Sequence, residues 1–179
     1  KKAGVLILLK KDIGSNEFQI LFTKRSSKLS THSGEVSFPG GMWEEKDSSL
    51  FDTAMRESNE EIGLKKNNVM DLGRMNYLLS RHKVEVNPFV GYLENNQELI
   101  GNFEIDEIFD VPVSFLLNNN NILYKEFKRN DLRISMPSWV YNGNRIWGLT
   151  ALITADFLNM CFDAKIDTNI DLIRGYDQY

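Results

Sequence analysis

The chain has 179 residues, 42% hydrophobic and 26% charged, an ordinary globular balance that excludes disorder, collagen and coiled coil for the chain as a whole. Its longest apolar run, Ala3–Leu9, is far short of the ~20 residues a membrane-crossing helix needs. With 21 basic and 25 acidic residues the net charge is −4, so bulk charge draws no nucleic acid, and an anionic substrate requires a local site or a metal.

The first element in chain order is a continuous apolar run, Gly4–Lys10, suited to a strand buried on both faces. Turn residues Asp12–Asn16 lead to a second strand at Phe18–Lys24, and the two are expected to pair as a hairpin. From Arg25 the pattern breaks up until Phe38-Pro39-Gly40-Gly41, which is not a helix interior. Ser48 or Ser49 then caps a helix that Gly63 ends, with Phe51, Met55, Ser58 and Ile62 as its buried stripe. Strand-like stretches follow at Val69–Leu79 and Lys83–Leu93, with His82 in an exposed loop between them. Glu104–Val111 leads through Pro112 into a short helical turn, Val113–Leu117, and Asn118–Asn121 is a connector. Strands are expected at Ile122–Phe127 and Ser138–Tyr141, and Asn142-Gly143 makes a tight turn. An amphipathic helix, Thr150–Phe162, closes the chain, with Leu149, Leu152, Ile153, Phe157 and Met160 on its apolar face and Trp147 in the core at its start. The single cysteine, Cys161, excludes an intramolecular disulfide and a multi-cysteine metal site, and is expected to be buried. Strands, helix, strands and a closing helix describe a mixed sheet covered by helices, of the α+β or α/β class. One domain over residues 1–162 with a polar tail at 163–179 is the expected organisation.

The chemistry is concentrated between Gly41 and Leu64. Glu57, Glu60 and Glu61 stand at i, i+3 and i+4, within about a third of a helix circumference. Like charges at that spacing cost roughly 0.2–0.5 kcal/mol each, so helix stability gives no reason to gather them. A hard divalent cation does, because it takes carboxylate oxygens while keeping waters and substrate phosphates in its shell. A solvated acidic helix face is the plain alternative. Arg56 precedes the first carboxylate and is placed to orient it. Glu44 and Glu45 lie close by and are expected to be solvated.

The segment resembles the signature of the Nudix hydrolases. Gly41, Arg56, Glu57, Glu60, Glu61, Gly63 and Leu64 match it. Asp47 stands where that pattern has Glu, eight rather than seven residues separate it from Arg56, and Ser58 replaces an aliphatic residue. The Ser58 hydroxyl, once buried, needs a partner such as a carbonyl of the preceding turn. Upstream, Leu21-Phe22-Thr23-Lys24-Arg25-Ser26-Ser27-Lys28-Leu29-Ser30-Thr31-His32-Ser33-Gly34-Glu35-Val36-Ser37-Phe38-Pro39-Gly40-Gly41 resembles the added signature of the coenzyme A diphosphatase branch, with Phe22 and Ser30 as its clear departures. Asn87–Gly91, Glu104–Phe109 and Ile146–Ala151 also look familial, so the resemblance covers about Val5 to Phe162.

The resemblance implies a Nudix-type α/β/α sandwich with a mixed central sheet and the catalytic loop and helix at its edge. It implies hydrolysis of coenzyme A or its derivatives, with Mg²⁺ or Mn²⁺ held by Glu57, Glu60, Glu61 and the Gly41 carbonyl, and with Arg56 orienting Glu57. Glu104 sits where the branch places an acidic residue that adds a metal ligand or a general base. Arg25, Ser26, His32, Gly34 and Glu35 would meet the substrate, and the basic group Lys24, Arg25 and Lys28 is a plausible phosphate contact. Solvated surface charge remains the alternative for Arg25, and a loop-bracing role remains the alternative for His32. The implied partner is a small molecule, coenzyme A or an acyl-CoA, with no nucleic acid and no membrane span. The compartment is left open, cytoplasmic by default, with peroxisome and mitochondrion also open to this branch. Two rivals stand beside it: a Nudix hydrolase of ADP-ribose, NADH or capped RNA, and an inactive Nudix domain that senses a ligand.

Overall fold

The computed structural model describes residues 1–28, 33–95, 97–129 and 132–168. They fall into two compact units, Lys1–Val113 and the residues from Ser114 onward. The first holds β1 (Lys2–Lys11), β2 (Phe18–Arg25), β3 (Val36–Ser37), β4 (Gly40–Met42), α1 (Leu50–Ile62), β5 (Val69–Arg74), β6 (Leu78–Leu79), β7 (Glu85–Leu93) and β8 (Ile105–Pro112).

The apolar run at the start becomes the middle of the sheet. Leu6, Ile7 and Leu8 in β1 are wholly buried, because β1 has a neighbour on each edge. It runs parallel to β7, with Leu6 opposite Phe89. On its other edge it is antiparallel to β2 through Leu8↔Leu21 and to β4 through Gly4↔Gly41. The sheet runs β3-β2-β1-β7-β5, with β4 on β1, β6 on β7 and β8 on β2. It is therefore mixed, as expected. The β1–β2 turn forms where Asp12 Oδ2 accepts the Ser15 amide at 2.8 Å.

Helix α1 begins and ends at the residues its sequence names. The Ser49 side chain accepts the Asp52 amide, and Gly63 closes the far end in the left-handed region at φ 70°, donating to Asn59 O. Ser58 is buried, and its hydroxyl donates to Ala54 O at 2.6 Å, the preceding-turn carbonyl that its burial required. Ala54, Met55 and Ile62 pack with Leu6, Leu8 and Leu21 of the sheet, and Phe51 meets Phe89 edge-on at 5.5 Å. These contacts fix the helix, and the carboxylates it carries, against the sheet.

Beyond α2 (Val113–Leu117), the second unit contains β9 (Leu123–Arg129), β10 (Leu132–Tyr141), β11 (Asn144–Ile146) and α3 (Gly148–Phe162). The three strands form one antiparallel sheet, and Asn142 and Gly143, both at positive φ, make the expected two-residue turn. Strand β10 starts six residues earlier than its sequence signals, because pairing with β9 sustains it through Ile134–Pro137. Helix α3 differs more. Ala151, Leu152, Ile153, Thr154, Ala155, Phe157 and Leu158 are all buried, so the helix is enclosed on most sides rather than along one stripe. Met160, expected on its apolar face, is 57% exposed. Cys161 is exposed as well, not buried. Trp147 is 48% exposed where a core residue was expected; the indole that fills the core is Trp139, wholly buried with its Nε1–H donating to Leu116 O at 3.1 Å. After α3, the Asn159 side chain bonds both the N–H and the carbonyl of Ile166, holding the chain to that point.

Candidate active site

Three glycines bring β1, β4 and α1 into contact. A Cβ on Gly4 would collide with the Leu50 carbonyl oxygen in the first turn of α1, and one on Gly40 with the Gly4 carbonyl oxygen. Gly40 also holds φ at +146°, a region closed to L side chains. The end of the irregular stretch, residues 36–42, is thus two short strands and a tight approach, a pairing that no local pattern announced. Its consequence is chemical. The Gly40 N–H donates to Glu61 Oε2 at 3.0 Å. A Cβ on Gly41 would sit 2.5 Å from the Glu57 carboxyl carbon, so Glu57 lies flat on that glycine.

Two arginines hold the carboxylates. Arg56 Nη1 donates to Glu57 Oε1 at 2.9 Å and reaches Glu60 at 3.4 Å. Its Nε and Nη2 grip Asp47 at 2.8 and 3.0 Å, and Nη2 also reaches Met42 O at 3.0 Å. Arg56 thus links Glu57 to the loop before α1, through Asp47 and Met42 O. Asp47 is the residue whose part the sequence left unread. Its carboxylate is almost wholly enclosed, and the Arg56 guanidinium, with the Glu44 amide and the Thr53 hydroxyl, holds it well below the usual carboxylate range. On the other side, Arg25 bridges Glu61 at 3.7 Å and Glu104 at 3.4 Å. Burial pushes the Glu61 carboxyl up to about 7, against the opposing pull of the Gly40 N–H and Arg25. Burial also raises Glu57, with Arg56 opposing.

The Asp47–Arg56 pair gives a testable stability. An Asp whose folded pKa lies below its unfolded one stabilises the fold above the unfolded value near 4, and this is lost as pH falls through the folded value. Asp47→Asn is expected to cost about 3 kcal/mol at pH 7, as for breaking one partner of a buried pair. Urea midpoints at pH 7 and pH 3 measure it: the gap between parent and variant should narrow at pH 3. A variant as stable as the parent at pH 7 would show that the pair is not structural.

Glu57, Glu61, Arg56 and Gly41 meet at the α1–β4 contact. Glu60 is on the same helix, with its side chain 53% exposed and turned toward Arg56. Glu104 joins them through Arg25. Ser26 is buried and its N–H donates to Glu104 O at 2.7 Å. Arg25 N–H donates to Glu35 O, and Gly34 N–H to Arg25 O, so these residues close the base of the loop between β2 and β3. The Ser27 amide anchors the same loop on Asp106. His32 and Ser30 lie outside the described residues. His82 is exposed in the turn before β7, and Glu44 pairs at the surface with Lys46.

Among the described residues, no three His, Cys, Asp or Glu side chains are drawn together tightly enough to form a finished metal cage. Two carboxylates, Glu57 and Glu61, nevertheless converge on the Gly40–Gly41 main chain. An all-oxygen donor set of this kind fits a hard cation such as Mg²⁺, which takes one or two carboxylates and keeps several waters.

A NUDIX domain model matches residues 1–121. The chain belongs to the Nudix family of hydrolases. Over 135 residues it is 37% identical to a Nudix hydrolase, NudL, of Photorhabdus laumondii, covering 75% of this chain and 72% of that protein. Over 140 residues it is 36% identical to a mitochondrial coenzyme A diphosphatase of Homo sapiens, covering 75% of this chain and 59% of that protein. A MutT/nudix family protein from Enterococcus faecalis shares the fold, with a TM-score of 0.62 at 14% identity over 97% of this chain and 67% of that one. Membership carries the class implied by the signature, a Nudix diphosphatase, and the mixed sheet with its packed helix is the expected Nudix fold. No helix among the described residues is long and apolar enough to cross a membrane.

Proposed function

We propose that the chain hydrolyses the diphosphate bond of coenzyme A or an acyl derivative, giving 3′,5′-ADP and 4′-phosphopantetheine or its acylated form. The observation that carries this reading is where the 21–41 signature folds. Its Gly40–Gly41 end receives Glu57 and Glu61, and its Arg25–Ser26 segment is tied to Glu104. The activity named for the human relative supports the same substrate.

Glu57, Glu60 and Glu61, with the Gly41 carbonyl, would hold Mg²⁺ or Mn²⁺. Bound there, such an ion supplies Lewis-acid polarisation of the phosphoryl oxygens and lowers the pKa of a water. Arg56 holds Glu57 in place. Arg25 bridges Glu104 to Glu61, and there Glu104 would accept a proton or add an oxygen ligand. Arg25, Ser26, Gly34 and Glu35, together with His32 of the same signature, are assigned to substrate contact. No side-chain nucleophile is required. The partner is a small molecule, and the human relative favours the mitochondrion among the compartments open to the branch.

Mass spectrometry of products from coenzyme A, ADP-ribose and NADH, each with Mg²⁺, tests the reading. Coenzyme A is expected to be cleaved with kcat/KM at least about tenfold above ADP-ribose, ~1.4 kcal/mol of transition-state binding. Equal or reversed values would remove the substrate assignment, and no turnover of any of the three would favour an inactive ligand-binding domain.

A further inference from the structure

A helix leaves its last carbonyls without partners inside the helix, and buried ends need outside donors. At α1 these donors come from one strap, residues 97–104. The Gln97 side chain donates to Gly63 O at 2.8 Å, and Ile100 N–H to Ile62 O at 3.1 Å. Asn102 supplies two: its N–H reaches Glu61 O at 2.8 Å and its Nδ2 reaches Glu60 O at 3.0 Å. Its remaining acceptor faces the other way, with Oδ1 taking the Glu104 N–H at 2.8 Å. A ring results, from the Glu61 main chain through Asn102 to Glu104, and from Glu104 through Arg25 back to the Glu61 carboxylate.

We propose that Asn102 is a positioning residue for the hydrolytic reaction, setting the Glu104 carboxylate against Glu61 by holding both main chains at once. The inference rests on the reading of Glu104 given above. The amide side chain does two separate things: its Nδ2 caps the Glu60 carbonyl, and its oxygen, together with the Asn102 main-chain N–H on Glu61 O, ties Glu104 to Glu61. Gln97 supplies the comparison. It caps the same helix end but makes no bond to Glu104; its carbonyl oxygen accepts instead from Lys65 N–H and Asn68 Nδ2.

Three variants separate positioning from capping. Asn102→Ala and Gln97→Ala each remove a carbonyl cap, and similar falls in Tm are expected. Asn102→Ala should lower kcat on coenzyme A with Mg²⁺ by 10- to 100-fold, the order expected when a reacting group shifts by about 1 Å, with KM changed less than threefold. Gln97→Ala should keep kcat within threefold. Asn102→Asp retains the acceptor for the Glu104 N–H and loses the donor to Glu60 O, so its kcat should recover most of the loss. Hydrogen exchange of the metal-free proteins gives a readout independent of turnover: the Glu104 amide should lose protection in Asn102→Ala and keep it in the other two. A kcat loss in Asn102→Ala no larger than in Gln97→Ala, or a failure of Asn102→Asp to recover, overturns the inference. Glu104→Gln keeps the two readings apart: a silent Glu104→Gln removes the role of Glu104 itself, whereas an impaired Glu104→Gln beside an intact Asn102→Ala removes only the role of Asn102.

Discussion

Glu61→Gln is expected to abolish hydrolysis and, in EDTA, to make the protein more stable. The carboxyl is almost wholly enclosed between α1 and the Gly40 turn, and burial lifts it from the ordinary 4.5 to about 7. A folded pKa above the unfolded one means that the neutral group favours the fold. That advantage is complete below the unfolded value and fades as pH rises through about 7. At pH 8 the parent therefore carries a buried anion that glutamine does not, a difference on the order of 3 kcal/mol at most. At pH 4 the two proteins should unfold at nearly the same urea concentration. Glu60→Gln, at an exposed position, should change stability by less than about 0.5 kcal/mol at either pH. Activity with Mg²⁺ should fall by several orders of magnitude in Glu61→Gln, because the oxygen that glutamine neutralises is one the metal would use. A Glu61→Gln protein that is less stable at pH 8 in EDTA, or fully active, would contradict this account.

Gly4→Ala is expected to be strongly disruptive for so small a change. Its new methyl group would meet backbone on two sides, the Leu50 carbonyl oxygen and the Ala54 nitrogen, and neither yields as a side-chain tip would. Overpacking typically costs 1–3 kcal/mol; here the upper end, about 3 kcal/mol, is expected. Relief requires α1 to lift from β1, which carries Glu57 and Glu61 away from Gly41. A displacement near 1 Å should then lower kcat by on the order of a hundredfold. Gly14→Ala is the control. It lies in the exposed β1–β2 turn, where the nearest atom to a new Cβ is an Asp12 carboxyl oxygen at 3.4 Å, and it should change stability by less than about 0.5 kcal/mol. Equal melting temperatures for the two variants would show that the close approach at Gly4 is not needed for stability.

The elements legible in the sequence are those whose signals are local. Ser49 and Gly63 bound α1 because a cap needs only its own few residues, and β1 reads as a buried strand because its apolar run is unbroken. The spacing of Glu57, Glu60 and Glu61 likewise belongs to one helix, so the acidic cluster and its family were visible without coordinates. The rest depends on contacts between distant segments. Ser37 and Gly41 are strand residues only because β2 and β1 lie beside them, and β10 lengthens because β9 pairs with it. Trp147 and Trp139 cannot be told apart by residue type, since burial is decided by what packs around each ring; Trp139 fills the core and Trp147 does not. The carboxylates divide in the same way. Helix geometry placed all three on one face, but Glu57 and Glu61 lie against Gly41 and the Gly40 N–H, while Glu60 has no such contact and stays half exposed beside Arg56. Asp47 and Asn102 acquire their parts only across gaps of 9 and 42 residues, to Arg56 and to Glu60, distances over which hydrogen-bond partners are chosen by the folded chain rather than by neighbouring residues.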